Sequence, residues 1–164
     1  MTMKDSILKC LKELDLDCKI CEHEPVLDFE TAALVDERFH LTGVESKSLF
    51  IKTKSEKYYI YLTVQGEKLD SKYMKKLLGE KVSVVGPDEL TNLTTCVPGC
   101  VAPFGFDKEL NVRIIVDKKI FNYEKFIFSP AVPEMTVEAK TEDLPKMLEQ
   151  YYDEILYKEL DEEE

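Results

Sequence analysis

With 164 residues and 44% hydrophobic side chains, the chain is long enough to fill one substantial core, and no apolar run approaches the length of a membrane span. Its formal charge of −11 argues against non-specific binding of polyanions by the molecule as a whole. The opening MTMKDSILKC carries an acid where an export signal has a basic flank, so a cytoplasmic protein is expected.

In chain order, Ile7, Leu8, Leu11 and Leu14 fall at helical spacing behind Asp5 and Ser6, which predicts an amphipathic helix over Met3 to Leu14. Cys18 to His23 reads as a short strand that stays extended into Glu24, because a residue before proline is pushed away from helical angles. Asp28 is a cap for a short helix containing Thr31 to Leu34 and fading between Phe39 and Gly43. Lys47 to Thr53 and Lys57 to Val64 are rich in β-branched and aromatic residues around the polar turn Lys54-Ser55-Glu56, the pattern of a hairpin at the centre of a sheet. A helix from about Asp70 to Leu78 follows, with Met74, Leu77 and Leu78 inward and Lys72, Lys75 and Lys76 mostly outward, and Gly79 ends it. Val82 to Val85 is a short strand, and Glu89 to Thr94 a helical turn. Strands are then expected over Asn111 to Asp117, Lys125 to Ser129 and Met135 to Ala139. A last helix should place Leu144, Met147, Leu148, Tyr151, Tyr152 and Ile155 on one face. The sum is a single mixed α/β domain over residues 1–160, with six or seven strands, helices at both ends and an acidic tail at 161–164.

Three features bear on chemistry. First, charge is uneven: residues 47–81 hold 9 basic and 4 acidic side chains, a stretch of +5 in a chain that is otherwise −16. That suits either a short-footprint contact to a nucleic-acid end or lysines that merely decorate strand edges and a helix face. Second, Cys96 to Phe106 (CVPGCVAPFGF) is uncharged, with Pro98, Gly99, Pro103 and Gly105 presetting the backbone. Such a loop is either a rigid turn or a pocket wall that offers amides to an anion or a carbonyl. Third, Lys47 stands at the mouth of the first long strand, where the default is a charge that snorkels to water.

Other chemistries lack their residues. There is no G-x-S-x-G elbow, P-loop, Rossmann fingerprint or H-E-x-x-H, and with only His23 and His40 a histidine-based triad has few candidates. The five cysteines are odd in number, against a disulfide framework. Cys18-x-x-Cys21 with Cys96-x-x-x-Cys100 can be read as a four-thiolate zinc site, but the first pair lacks the usual Gly or Pro turn and fits a strand as small apolar residues.

The ordered set Lys47-Ser48-Leu49-Phe50, Leu77-Leu78-Gly79, Pro87-Asp88-Glu89-Leu90 and Gly99-Cys100-Val101-Ala102-Pro103-Phe104-Gly105 resembles the YbaK-like aminoacyl-tRNA deacylases, most closely their free-standing prolyl-tRNA editing branch. His23-Glu24-Pro25-Val26 followed by Thr31-Ala32 is similar to the family's N-terminal H-x-P-V segment and helix. The resemblance, from about Asp5 to Leu148, implies a central mixed, partly barrel-like sheet flanked by helices. It also implies a trans-acting, metal-independent hydrolase with no cofactor, acting on a mischarged small amino acid, with Ala-tRNA(Pro) foremost. Its partners would be the tRNA acceptor end and a prolyl-tRNA synthetase, with neither membrane nor DNA. Carried over residue by residue, Lys47 and the amide region around Gly99 would be catalytic. His23, Thr31, Ser48, Phe50, Cys100, Val101, Ala102, Pro103, Phe104 and Ser129 would contact substrate. Two departures stand out: Ser129-Pro130-Ala131-Val132-Pro133-Glu134 replaces an H-P-x-x-N-T pattern, and Ser48 stands where asparagine is frequent. They leave room for a non-catalytic aminoacyl-tRNA or amino-acid binding module of the same fold.

Overall fold

The computed structural model describes residues 2–26 and 28–159, so the expected acidic tail at 161–164 lies outside the described residues. The elements run α1 (Met3–Glu13), β1 (Cys18–Glu22), α2 (Phe29–Arg38), β2 (Val44–Thr53), β3 (Tyr58–Val64), α3 (Ser71–Leu78), β4 (Val82–Val84), α4 (Pro87–Leu93), β5 (Arg113–Asp117), β6 (Lys125–Phe128), β7 (Met135–Lys140), α5 (Leu144–Glu149) and β8 (Ile155–Lys158). The fold is mixed α/β, as expected, with one mixed sheet ordered β1-β7-β6-β2-β3-β5-β8 and β4 attached to β2.

Local chemistry sets the helix ends. Thr2 and Asp5 form a reciprocal capping box on α1. Asp28 and Asp70 accept from the Thr31 and Tyr73 amides at the starts of α2 and α3. Gly79, at φ +80°, closes α3 in the left-handed region.

β2 is the hub. Along one edge it pairs antiparallel with β3, Ser46 to Lys52 against Val64 to Tyr58. Along the other it pairs first with β6, in parallel through Val44 and Glu45, and then with β4 through Ile51 to Thr53. The larger core lies on the Phe50, Ile60, Leu62 and Val116 face, under α1 and α5. A smaller cluster of Ile51, Tyr59, Tyr61, Met74 and Ile115 lies on the opposite face, under α3. The two faces follow from the period-2 alternation of strand side chains.

The end of the chain departs from expectation. α5 stops at Glu149, and Ile155–Lys158 forms β8, parallel to β5 through Ile114–Asp117. The sheet therefore has eight strands, and no helix ends the described chain. Tyr151, Tyr152 and Ile155 fit a 3.6 period on paper, but β5 would otherwise expose an unpaired edge, and strand pairing satisfies those backbone groups. No described helix is long and apolar enough to cross a membrane.

Candidate active site

The cleft follows from how β2 is paired. Between Glu45, opposite Ile127, and Ile51, opposite Val84, its outer edge leaves β6 and has not yet met β4. The Ser46 hydroxyl, donating to the Ile127 carbonyl at 2.6 Å, and the Val85 amide, donating to the Phe50 carbonyl at 2.8 Å, close the two ends of that gap. The opening is a cleft of about 640 Å³, within the usual range for a small-molecule site. β2 supplies Ser46 to Phe50 along one wall, the Pro98–Val101 segment supplies another, and Phe128, Ser129 and Met135 a third. α4 contributes Pro87 and Leu90 and is held against β2 by Glu89, which accepts from Lys52 Nζ at 2.7 Å and Tyr58 Oη at 2.8 Å.

Lys47 lines this cleft, its ammonium donating to the Glu67 carbonyl at 3.2 Å and making no ion pair among the described residues. Ser48 and Phe50 line it too, Phe50 being buried against Tyr58 and Phe106. A lysine with spare donors beside an apolar wall is suited to an anion or a polarised carbonyl.

The loop of residues 96–106 divides in two. Gly99 adopts φ +90° with open space around it, Cys100 donates its amide to the Val97 carbonyl at 2.8 Å, and the Val97 amide reaches Ala131 O at 3.0 Å. The Ala102 amide is directed at the Cys96 sulfur. Among the described residues this leaves the Gly99 and Val101 amides without acceptors, whereas those of Cys100 and Ala102 are engaged. Ala102, Pro103 and Phe104, expected at the substrate, are buried in the core and do not line the cleft. Phe104 packs on Phe128 and Tyr151, and the Pro103 carbonyl accepts from Tyr152 Oη at 2.8 Å. Apolar side chains in the loop's second half gain more from the core than from a wet cleft.

Cys100 and Val101 line the cleft, but burial pushes the Cys100 thiol up, which disfavours a thiolate. Cys18 and Cys21 lie on β1, and among the described residues no three metal-capable side chains gather, so the four-thiolate zinc reading is not supported.

His23 stands behind the wall rather than in it. Its Nδ1 lies 2.7 Å from Glu24 O and its Nε2 2.7 Å from Thr136 Oγ1, so it braces Thr136, which does line the cleft. Thr31 is engaged through its amide by Asp28, and Asp28 and Ala32 rather than Thr31 reach the cleft. Ser129 lines it, with Oγ donating to Val132 O at 2.9 Å inside a turn whose Ala131 sits at φ +74°. His23 and Val26 hold that turn through their amides, which donate to Glu134 O at 3.0 Å and Pro133 O at 2.8 Å.

Two features escaped the sequence. Glu45 lines the cleft two residues before Lys47, and Glu45 Oε1 and Asp36 Oδ1 are buried without a conventional donor. Burial first, then Asp36, raises the Glu45 pKa far above the ordinary carboxylate range, which favours the protonated form of Glu45. Glu138, buried on β7, accepts the Thr42 and Gly43 amides at 2.8 Å each, and a Cβ on Gly43 would meet the Lys125 backbone at 2.9 Å. These contacts dock the start of β2 and so place Lys47. An alternation pattern shows that Glu45 shares a face with Lys47, but only the approach of α2 reveals its partner.

Comparison with known proteins places these features in a family context. The family described as "Aminoacyl-tRNA editing domain" matches residues 23–147. The prolyl-tRNA editing protein ProX of Acetoanaerobium sticklandii is 27% identical over 154 residues, covering 90% of this chain and 92% of its own. The multifunctional Ser/Thr-tRNA deacylase ProXp-y of Escherichia coli K12 is 25% identical over 142 residues, 84% of this chain and 83% of its own. Among solved structures, a candidate trans-editing enzyme for prolyl tRNA synthetase superposes with a TM-score of 0.76 at 18% identity, covering 99% of both chains. The hypothetical protein APE2540 gives 0.76 at 16% identity, covering 93% of this chain and 97% of its own. At those identities the two structures speak for the fold.

Proposed function

The chain belongs to the aminoacyl-tRNA editing domain family, and from that premise we propose that its cleft hydrolyses the ester of a small amino acid wrongly attached to tRNA, with Ala-tRNA(Pro) the foremost substrate. Editing by deacylation is the activity it shares with its named relatives. The observation that carries the site assignment is one apolar cleft holding an ammonium, Lys47, that makes no ion pair, and two amides, Gly99 and Val101, that have no acceptor, among the described residues.

In this reading the terminal aminoacyl-adenosine enters along the free edge of β2. Lys47 holds a phosphate or the ester carbonyl oxygen, and the Gly99 and Val101 amides receive the oxyanion that forms when water adds to the carbonyl carbon. Collapse returns the electron pair to the carbonyl, breaks the bond to the ribose oxygen and leaves that oxygen as a hydroxyl once it takes the proton from the attacking water. A neighbouring ribose hydroxyl orients the water, so no side-chain nucleophile is needed. Ser129 and Ser48 border the amino-acid end, and Phe50 and Val101 limit its size. A single methylene there is worth about 1 to 3 kcal/mol of discrimination.

Ser48, Ser129 and Thr136 place hydroxyls on the cleft, which favours a second reading in which serine or threonine esters are accepted. The test is deacylation of Ala-, Ser-, Thr-, Cys- and Pro-tRNA(Pro) by the wild type and Lys47→Ala. Selective hydrolysis that falls at least about 100-fold in Lys47→Ala with an unchanged melting temperature is expected, as when an oxyanion donor is removed. Saturable binding of an aminoacyl-adenosine analogue with no turnover would establish a binding module instead.

A further inference from the structure

The lysine excess of residues 47–81 is gathered on one surface that begins beside the cleft. Lys54, Lys57, Lys68, Lys72, Lys75, Lys76 and Lys81 are all exposed. None of them pairs with a carboxylate among the described residues. Three of the four acids of the same stretch are turned to other tasks: Glu67 pairs with Lys119 at 2.7 Å, Asp70 caps α3, and Glu80 accepts from the Ser55 amide and hydroxyl at 2.9 and 2.8 Å, which leaves Glu56, exposed in the β2–β3 turn, as the fourth.

Topology orders these lysines into a track. The ammonium of Lys47 rests on the Glu67 carbonyl, and Lys68 is the next residue. α3 then runs with buried Met74 against the Ile51–Tyr61 cluster, turning Lys72, Lys75 and Lys76 outward at i, i+3 and i+4. It delivers the chain to Lys81, whose carbonyl accepts the Lys54 amide at 3.0 Å at the far end of β2. From Lys47 to Lys54 is about 23 Å along a strand at roughly 3.3 Å per residue.

We propose that this α3 track docks the phosphate backbone of the tRNA acceptor stem while the single-stranded 3′ end enters the cleft past Lys47. The assignment rests on the deacylase reading for the identity of the partner. Charge complementarity supplies the rest: the remainder of the chain, at −16, on balance opposes a polyanion, whereas the 47–81 stretch, at +5, attracts one. A duplex is too wide for the cleft, so paired and unpaired parts of the RNA need separate surfaces.

The experiment uses the full chain and an uncharged RNA hairpin of acceptor-stem sequence ending in single-stranded ACCA, with affinity read by fluorescence anisotropy between 50 and 200 mM salt. In Lys72→Gln/Lys75→Gln/Lys76→Gln, affinity at low salt should fall at least roughly tenfold, and the slope of log affinity against log salt should flatten by about 2 to 3. Lys9→Gln/Lys12→Gln/Lys19→Gln removes the same charge elsewhere and should change affinity less than about twofold. No RNA binding by the wild type, equal losses in the two variants, or an unchanged slope in the α3 variant would overturn the proposal. Hydrolysis of a 3′-O-aminoacyl-adenosine, which has no stem, separates the readings. The α3 variant should match the wild type on it, and a selective loss there would also overturn docking. Failure of both proteins on every such ester would count against deacylation, whereas the anisotropy result stands on binding alone.

Discussion

The two halves of the 96–106 loop are both uncharged, with one proline and one glycine each, and have opposite fates. Pro98 to Val101 borders the cleft, where the Gly99 and Val101 amides have no acceptor among the described residues, while Ala102 to Phe106 is buried and its Pro103 carbonyl accepts from Tyr152 Oη. Glycine serves each half differently. Gly99 needs its φ of +90° but has open space around it, whereas a Cβ on Gly105, at φ +103°, would lie 2.8 Å from Ile7 Cγ1. The same residue type is a shaping element at the cleft and a packing element in the core.

Breaking the buried half should have the largest effect on stability. Phe104→Ala removes a fully buried ring between Phe128 and Tyr151 and should cost about 3 to 5 kcal/mol in denaturant unfolding. A loss below about 1 kcal/mol would mean that the second half is not core. The glycines sharpen the contrast. Gly105→Ala meets both strain and the Ile7 side chain, so about 2 to 3 kcal/mol is expected, against about 1 kcal/mol for Gly99→Ala, which meets strain alone. Activity should reverse the order once stability is matched: Gly99→Ala disturbs the amides facing the cleft, and kcat at a temperature where both variants are folded would show it.

The smallest effect concerns the cleft's other unspent polar pair. Native Glu45 keeps a proton that the unfolded chain releases near the ordinary carboxylate pKa. Between those two values the native state binds more protons, so this group's contribution to stability falls as pH rises. Glu45→Gln should therefore raise the melting temperature at pH 8, by a few degrees at most, with little change at pH 4. An equal shift at both values would show that native Glu45 is not held protonated.

Much of this molecule was legible in its sequence. Helix starts were written in local chemistry, in Asp28 and Asp70, because a cap and its amide are three residues apart and need no distant partner. The β2–β3 hairpin was legible from its apolar runs and polar turn, and the family, with Lys47 and Gly99 as candidates that line the cleft, from ordered motifs. Ala102, Pro103 and Phe104, carried over from the family resemblance, lie buried outside the cleft lining, because an ordered motif does not say which side of an uncharged loop meets water. β8 was missed because its pattern also fits a helix, and only the waiting edge of β5 decides between them. The carboxyl pair of Asp36 and Glu45, the Glu138 clasp on Gly43 and the cleft itself depend on residues far apart in sequence. The cleft exists because β2 pairs with β6 and β4 at its two ends and with neither between, a pairing decided by the whole sheet rather than by any segment.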